Sequence, residues 1–234
     1  NLIVDAGEQC DDGNQIIGDG CELCQSVFGP GVEFNDEANE MSGCVWHPVK
    51  GVFYAVDDSG EIWKIQTNGV ANILKSGLGD IEAITLGPDL NSNFIYVAKE
   101  FDATAGKPQI GEFNVETNEL TRWFTLINFV GTTSTGQEAM EFIPDAGAEG
   151  GIFYSGSQQN GLVYKHRLSI LTSSTDTIVT PIIGTFDPQP NGWNSNLAAL
   201  NLDRQNNILY AQWDENFYKL RAMNPTNPSI EYGV

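Results

Sequence analysis

Four stretches of this chain repeat one short pattern, apolar residues closed by a tyrosine: Val52-Phe53-Tyr54-Ala55, Phe94-Ile95-Tyr96-Val97, Ile152-Phe153-Tyr154-Ser155 and Ile208-Leu209-Tyr210-Ala211. Runs this short, rich in β-branched and aromatic residues, favour extended backbone over helix. After each comes a turn and a second strand-like run, at 61–65, 109–113, 162–166 and 217–220. Further apolar stretches follow at 71–74, 121–127 and 181–186. The segment before each Tyr strand repeats more closely still. Glu82-Ala83-Ile84-Thr85-Leu86-Gly87-Pro88-Asp89 aligns without a gap with Glu138-Ala139-Met140-Glu141-Phe142-Ile143-Pro144-Asp145. Asn196 to Asp203 and Ser42 to Pro48 offer the same segment in the last and first units.

Each unit is therefore four short strands joined by Gly, Asn, Asp and Pro turns. Four-stranded units recurring about every 40–60 residues are the signature of a β-propeller. A β-sandwich also has many short strands, but it has no reason to repeat one eight-residue pattern along the chain. We expect an all-β propeller of four visible blades over residues 29–234, preceded by a small disulfide-rich segment over 1–28. Four blades is the low limit for closing a ring, and the last strand-like run, 229–232, stops just short of Val234. Either this is a small four-bladed ring or the native chain continues into more blades, and the longer chain is the expectation we draw from this.

Charge narrows the function. The 234 residues carry 31 Asp and Glu against 11 Lys and Arg, a formal charge of −20. Such a surface repels phosphate backbones, so nucleic acid is not an expected partner. No apolar run is long enough to span a membrane. His47 and His166, the two histidines, lie too far apart in the chain to suggest a multi-His metal centre. No nucleophile elbow, zinc-protease helix or phosphate-binding Gly loop occurs. The tyrosines, with Trp63, Trp123, Trp193 and Trp213, read as inter-blade core before they read as a sugar-stacking surface.

All four cysteines, Cys10, Cys21, Cys24 and Cys44, fall in the first 44 residues. An even, clustered set among Gly- and Asp-rich loops reads as disulfides formed in an oxidising compartment. The competing four-thiolate zinc site lacks the second close pair of a zinc ribbon. A bridge across Cys21-Glu-Leu-Cys24 would close a very tight loop, so we expect Cys10–Cys21 and Cys24–Cys44. The chain opens at Asn1 with neither an initiator Met nor a signal peptide, which fits a trimmed or partial chain.

Gly7-Glu8-Gln9-Cys10-Asp11-Asp12-Gly13-Asn14, then Gly18-Asp19-Gly20-Cys21 and Cys24, closely resembles an extracellular Cys-rich repeat with the pattern G-E-x-C-D-D-G-N…G-D-G-C-x-x-C. The family's usual upstream C-G-[DN]-G run is missing, so the chain starts inside the repeat or Cys44 replaces the absent partner. The resemblance implies secretion or the cell surface far better than it implies an activity. Asp11, Asp12, Asn14 and Asp19 also put four oxygen-bearing side chains on one Gly-rich loop, a ligand set suited to Ca²⁺. Turn chemistry accounts for the same residues without a metal.

A second candidate metal site lies in the repeats. The innermost strand of each blade lines the channel, so equivalent positions form a ring. Glu82 and Glu138 are equivalent, Asn196 and Ser42 are expected in their row, and Asp80 precedes Glu82 by two. Carboxylates gathered there repel one another unless a cation joins them, and Ca²⁺ with Asp80, Glu82, Glu138 and Asn196 as ligands is the candidate. Asp80-Ile81-Glu82-Ala83-Ile84-Thr85 resembles the D-x-E-[GA]-I-[AT] blade motif of phytase-like and SdiA-regulated-type propellers, a resemblance that rests on one strand and its echo at Glu138. Related propellers use a central Ca²⁺ to polarise substrate.

Two functions are open. The first is a non-catalytic extracellular structural or adhesive module, forming a homo-oligomer or polymer or contacting another surface protein or glycan. The second is a Ca²⁺-dependent hydrolase of phosphoesters or lactones. A poor stock of nucleophiles and bases favours the first.

Overall fold

A computed structural model of the chain describes residues 21–22, 25–26, 41–175, 177–179, 182–189, 196–213 and 219–232. The chain divides into compact units between Asn35 and Asp36, a few residues beyond the boundary read from the sequence. Within the first unit, β1 (Cys21–Glu22) pairs antiparallel with β2 (Gln25–Ser26).

The second unit is an all-β propeller of four blades, and no helix occurs among the described residues. Blade one runs β3 (Met41–His47), β4 (Val52–Asp57), β5 (Ile62–Gln66) and β6 (Ala71–Lys75). Blade two holds β7 (Ile81–Leu86), β8 (Phe94–Asp102), β9 (Lys107–Asn114) and β10 (Glu119–Leu126). Blade three holds β11 (Gln137–Pro144), β12 (Gly151–Ser157), β13 (Val163–His166) and, after a long excursion, β15 (Ile182–Phe186). Blade four holds β16 (Leu197–Asp203), β17 (Ile208–Trp213), β18 (Lys219–Met223) and β19 (Glu231–Tyr232). The sequence did not announce β14 (Ile178–Val179). It leaves blade three and adds a parallel fifth strand to the outer edge of blade two, beside β10. That pairing satisfies an edge that would otherwise present bare N–H and C=O groups.

The first strand of each blade is innermost, with β3 beside β7, β7 beside β11 and β11 beside β16. Apolar residues on both faces of the Tyr strands suit this stacking, because each sheet packs against a blade on either side. The tyrosines alternate with the residues before them, so Tyr54, Tyr96 and Tyr154 face the next blade and are buried. Three apolar clusters result. One joins blades one and two through Tyr54, Val56 and Ile62 against Ile84, Leu86 and Ile95. Another joins blades two and three through Tyr96, Ile110 and Phe124 against Met140, Phe142 and Phe153. The third joins blades three and four through Tyr154 and Val163 against Leu200, Leu202 and Leu209.

Polar ties reinforce the stack. Arg122 on β10 makes a two-pronged pair with Glu112 on β9 (3.2 and 3.0 Å), and Tyr96 and Thr121 donate to the same carboxylate. Arg122 also donates to the carbonyls of Ile170 and Ser173, binding blade two to the loop after β13. The tryptophans mostly serve the core, as expected. Trp213 is fully buried, and Trp63 is buried with its indole N–H on Asp57 at 2.9 Å. Trp123 is partly buried against the first cluster, and Trp193 lies outside the described residues. His166 is buried beside Tyr164 and Phe129, and burial pushes its pKa down to about 3, so it stays neutral in the core. Among the described residues, no helix is long and apolar enough to cross a membrane.

Candidate functional site

Every inner strand carries one extra residue at the same place. The pairing with the next strand skips between Met41 and Gly43, Ile81 and Ala83, Gln137 and Ala139, and Leu197 and Ala199. A bulge leaves its extra residue unpaired and re-aims it, a common device next to binding sites. The bulged residues are Ser42, Glu82, Glu138 and Ala198. The row expected from sequence therefore holds in three blades and fails in the fourth. Asn196 stands two residues earlier, in the row of Asp80, and Ala198 occupies the position opposite Glu82.

A second row comes from the Tyr strands. Asp58, Glu100 and Gln158 each follow their tyrosine by four residues, at the same end of the blades as the bulges. Backbone bonds fix this row to the inner strands: Glu100 N–H donates to the Asp80 carbonyl and Gln158 N–H to the Gly136 carbonyl, both at 3.0 Å. Asn196 N–H donates to the Gln158 carbonyl at 2.9 Å, which crosses from blade three to blade four. Gly136 N–H donates to the Glu100 carboxylate at 3.0 Å, crossing from blade two to blade three. On the Asp58 side, Ser42 donates its hydroxyl to the Asp58 carboxylate.

Two glycines make the crowding possible. Gly60, with φ +82°, lies directly on Gly79, and any Cβ there would overlap the Gly79 amide and carbonyl. This contact seats the turn after Asp58 against the lead-in to Asp80, and Leu78 N–H closes it on the Gly60 carbonyl at 3.1 Å. Gly136 has the same role across the next seam, where a Cβ would strike the Glu100 backbone.

Asp58, Asp80 and Glu82 each bring a carboxylate oxygen within 4.8 Å of the others. Calcium bonds of about 2.3–2.6 Å span roughly 4.6–5.2 Å from one ligand to the opposite one, so these oxygens fit around one ion. Asp80 Oδ1 is buried and makes no hydrogen bond. The crowding shows in the acidities. Burial, followed by the Glu138 charge and contacts to Asp80 and Asp58, pushes Glu82 up to about 9. Burial also pushes Glu100 up to about 7 with help from Asp80, although the Gly136 N–H pulls the other way. Like charges held out of water take up protons unless a cation replaces them.

Sequence reasoning placed Asp80, Glu82 and Glu138 here and missed Asp58 and Glu100. A signal existed: an acid or amide follows each repeated tyrosine by four residues, as Asp58, Glu100, Gln158 and Asp214. The loop candidates Asp11, Asp12, Asn14 and Asp19 lie outside the described residues, as do Cys10 and Cys24. Cys21 falls on β1, and Cys44 carries a free thiol on an exposed part of β3, so the Cys24–Cys44 bridge expected from the sequence is not formed.

The other end of the inner strands is built differently. A pocket of about 250 Å³ there is lined by Trp46, Thr85, Glu141, Leu202 and Arg204, among others. Glu141 is buried and accepts from Thr85 Oγ1 (2.7 Å), Phe142 N–H (2.8 Å) and Leu202 N–H (3.1 Å), so one carboxylate ties three blades. Neither histidine belongs to the acidic mouth. His47 is buried at the far end of β3, where burial and then the Lys50 charge lower its pKa.

No family model matches the chain, and no curated protein matches it. Among solved structures, the computationally designed Ika4 protein matches with a TM-score of 0.44 and 12% identity, over 82% of this chain and 98% of that one. The structure of U3-55K matches with a TM-score of 0.50 and 10% identity, over 84% of this chain. This chain spans about half of the U3-55K chain (54%). At such identity the likeness speaks to fold alone.

Proposed function

We propose that the protein is a non-catalytic extracellular propeller module that binds calcium at its acidic channel mouth and serves a surface or filament assembly through protein contacts. One observation carries the calcium part: Asp58, Asp80 and Glu82 gather oxygens within the span of a single Ca²⁺ shell. The buried, unbonded Asp80 oxygen and the raised Glu82 and Glu100 pKa values support it, since both describe a cluster that lacks its positive charge. The extracellular part rests on the Cys-rich pattern around Cys10, Cys21 and Cys24. Extracellular calcium sites commonly work in the 10⁻⁴–10⁻³ M range, roughly the affinity to look for here. Calorimetric titration with CaCl₂ tests the reading. One ion should bind per chain, and Asp80→Asn and Glu82→Gln should each weaken it at least tenfold; binding unchanged in both variants would refute it.

A specific observation also supports the hydrolase. Glu100 at about 7 lies in the range of a working general base. A base beside a metal-held water is the arrangement that such an enzyme needs. Model phosphoesters and lactones offered with calcium should nonetheless be left intact by the wild type. Calcium-dependent turnover lost in Glu82→Gln would promote the enzyme over the scaffold.

A further inference from the structure

The pocket at the mouth opposite the acids is built on one repeated position. Val45, Thr85, Glu141 and Asn201 each pair with the repeated tyrosine of their blade, at 54, 96, 154 and 210, and all four line it. Thr85 and Glu141 are buried, whereas Asn201 is exposed. Three residues further on, the blades carry Pro48, Pro88 and Pro144, and blade four breaks that row with Arg204. The Asp203 carboxylate accepts the Gln205 and Asn206 N–H groups at 2.9 and 3.0 Å, which closes the turn that carries Arg204. From that turn the Arg204 side chain reaches blade two, where it donates to the Leu86 carbonyl at 3.5 Å.

That one long contact uses little of a guanidinium, which has five N–H donors. No carboxylate among the described residues makes an ion pair with Arg204, whereas Arg122 and Arg167 each hold one. In a chain with 31 acidic residues, an arginine without an acid partner runs against the composition. Glu141 acts on it through its charge alone. Glu141 itself is nearly full: Oε1 accepts from Thr85 and Phe142 and Oε2 from Leu202, so a carboxylate with about four acceptor places has one left, on Oε2. Trp46, Leu86, Leu90 and Leu202 supply apolar wall. A volume of about 250 Å³ equals that of roughly eight waters. It suits a molecule of sugar size, smaller than the ligands of most drug-sized pockets.

We propose that this pocket binds a hexuronate, free or at the end of an acidic glycan, with its carboxylate on Arg204 and its hydroxyls on Asn201 and Glu141. A guanidinium takes a carboxylate by two parallel N–H bonds. A sugar hydroxyl needs a single acceptor, which is what Glu141 has left. An ammonium brings three donors and does not find that many acceptors on Glu141, which sets a free amino acid behind a sugar acid. The C–H face of the sugar ring rests on the apolar wall, with Trp46 as its aromatic part. The acids of the other mouth do not forbid an anion here. Arg204 stands six residues beyond Ala198, the bulge position of its strand, or roughly 20 Å of extended chain. Screening at physiological salt acts over about 8 Å. The site is separate from the calcium reading and does not rest on it.

Titration with sodium glucuronate, followed by amide chemical shifts and run in EDTA, tests the site with no cation at the acidic mouth. One molecule should bind per chain with a Kd in the millimolar range, as expected for a ligand of about thirteen heavy atoms. Arg204→Gln should weaken binding at least tenfold, and Asn201→Ala roughly threefold. Both positions are exposed, so both variants should keep the wild-type melting temperature. Glucose, which has the ring without the carboxylate, and acetate, which has the carboxylate without the ring, should each bind at least tenfold more weakly than glucuronate. A disaccharide ending in glucuronate distinguishes the two sources: binding at least as tight as that of the free acid assigns a glycan end, and weaker binding assigns the free sugar acid. Four results would overturn the proposal. The wild type shows no shifts at tens of millimolar glucuronate. Arg204→Gln binds it as well as the wild type. Acetate binds as well as glucuronate, the mark of an adventitious anion on an arginine. Or glycine or aspartate binds more tightly than glucuronate, the mark of a zwitterion site.

Discussion

Calcium binding at the mouth should release protons, and the number follows from the structure. With no cation bound, a carboxyl titrating at about 9 is protonated at pH 7 and one at about 7 is half protonated. Glu82 and Glu100 together hold about 1.5 protons at pH 7 and about 0.5 at pH 9. A divalent ion requires an ionised Glu82 and, by its charge, draws the proton off the neighbouring Glu100, so roughly 1.5 should leave per ion at pH 7 and about 0.5 at pH 9. Calorimetry in buffers of different ionisation enthalpy counts them directly. Glu82→Gln carries no removable proton there, so the count at pH 7 should drop by about one while affinity falls. The same acidities fix how stability depends on pH in EDTA. Glu82 is raised from 4.5 to about 9, so the folded state holds the proton more tightly than the unfolded chain. The stability this gives is full below pH 4.5 and is lost as pH rises through about 9, and saturating calcium should flatten that decline. A release near zero at pH 7, or one that does not shrink toward pH 9, would show that the carboxylates are not crowded as described.

Other perturbations test the scaffold around the site. Gly60→Ala puts a side chain at positive φ into the Gly79 backbone and should cost about 1–3 kcal/mol in urea unfolding, with weaker calcium binding as Asp58 moves. Arg122→Met strands the buried Glu112 carboxylate and should cost about 3–5 kcal/mol; adding Glu112→Gln should recover a good part of it. Glu141→Gln places an amide N–H₂ against the Leu202 or Phe142 N–H donors and should cost about 1–3 kcal/mol by thermal or urea denaturation, without touching calcium affinity.

The blades were legible because each must bury both faces of its Tyr strand, which forces the same apolar spacing into every unit. The glutamates of the second and third blades were legible for the same reason: Glu82-Ala83 and Glu138-Ala139 lie in an ungapped repeat. The fourth blade was misaligned by two. Ala198 is a bulge residue that need carry no side-chain signature, and Asn196-Leu197 imitates the start of the pattern. Asp58 and Glu100 escaped notice because they belong to a second strand, and sequence does not say that the ends of two strands converge. Backbone bonds such as that of Glu100 N–H to the Asp80 carbonyl, and the close approach of Gly60 to Gly79, join the two rows, and neither leaves a periodic trace in the sequence. The added strand β14 was invisible for a related reason, since its partner lies in another blade and its own two residues are too few to show a period.

Diffraction from crystals grown with calcium, recorded at a wavelength where calcium scatters anomalously, tests the central claim most directly. An anomalous peak bonded to Asp58, Asp80 and Glu82 at about 2.3–2.6 Å is the predicted result, with further oxygens completing six to eight ligands. A mouth that holds only water under saturating calcium, with its carboxylates turned away from one another, would contradict the account.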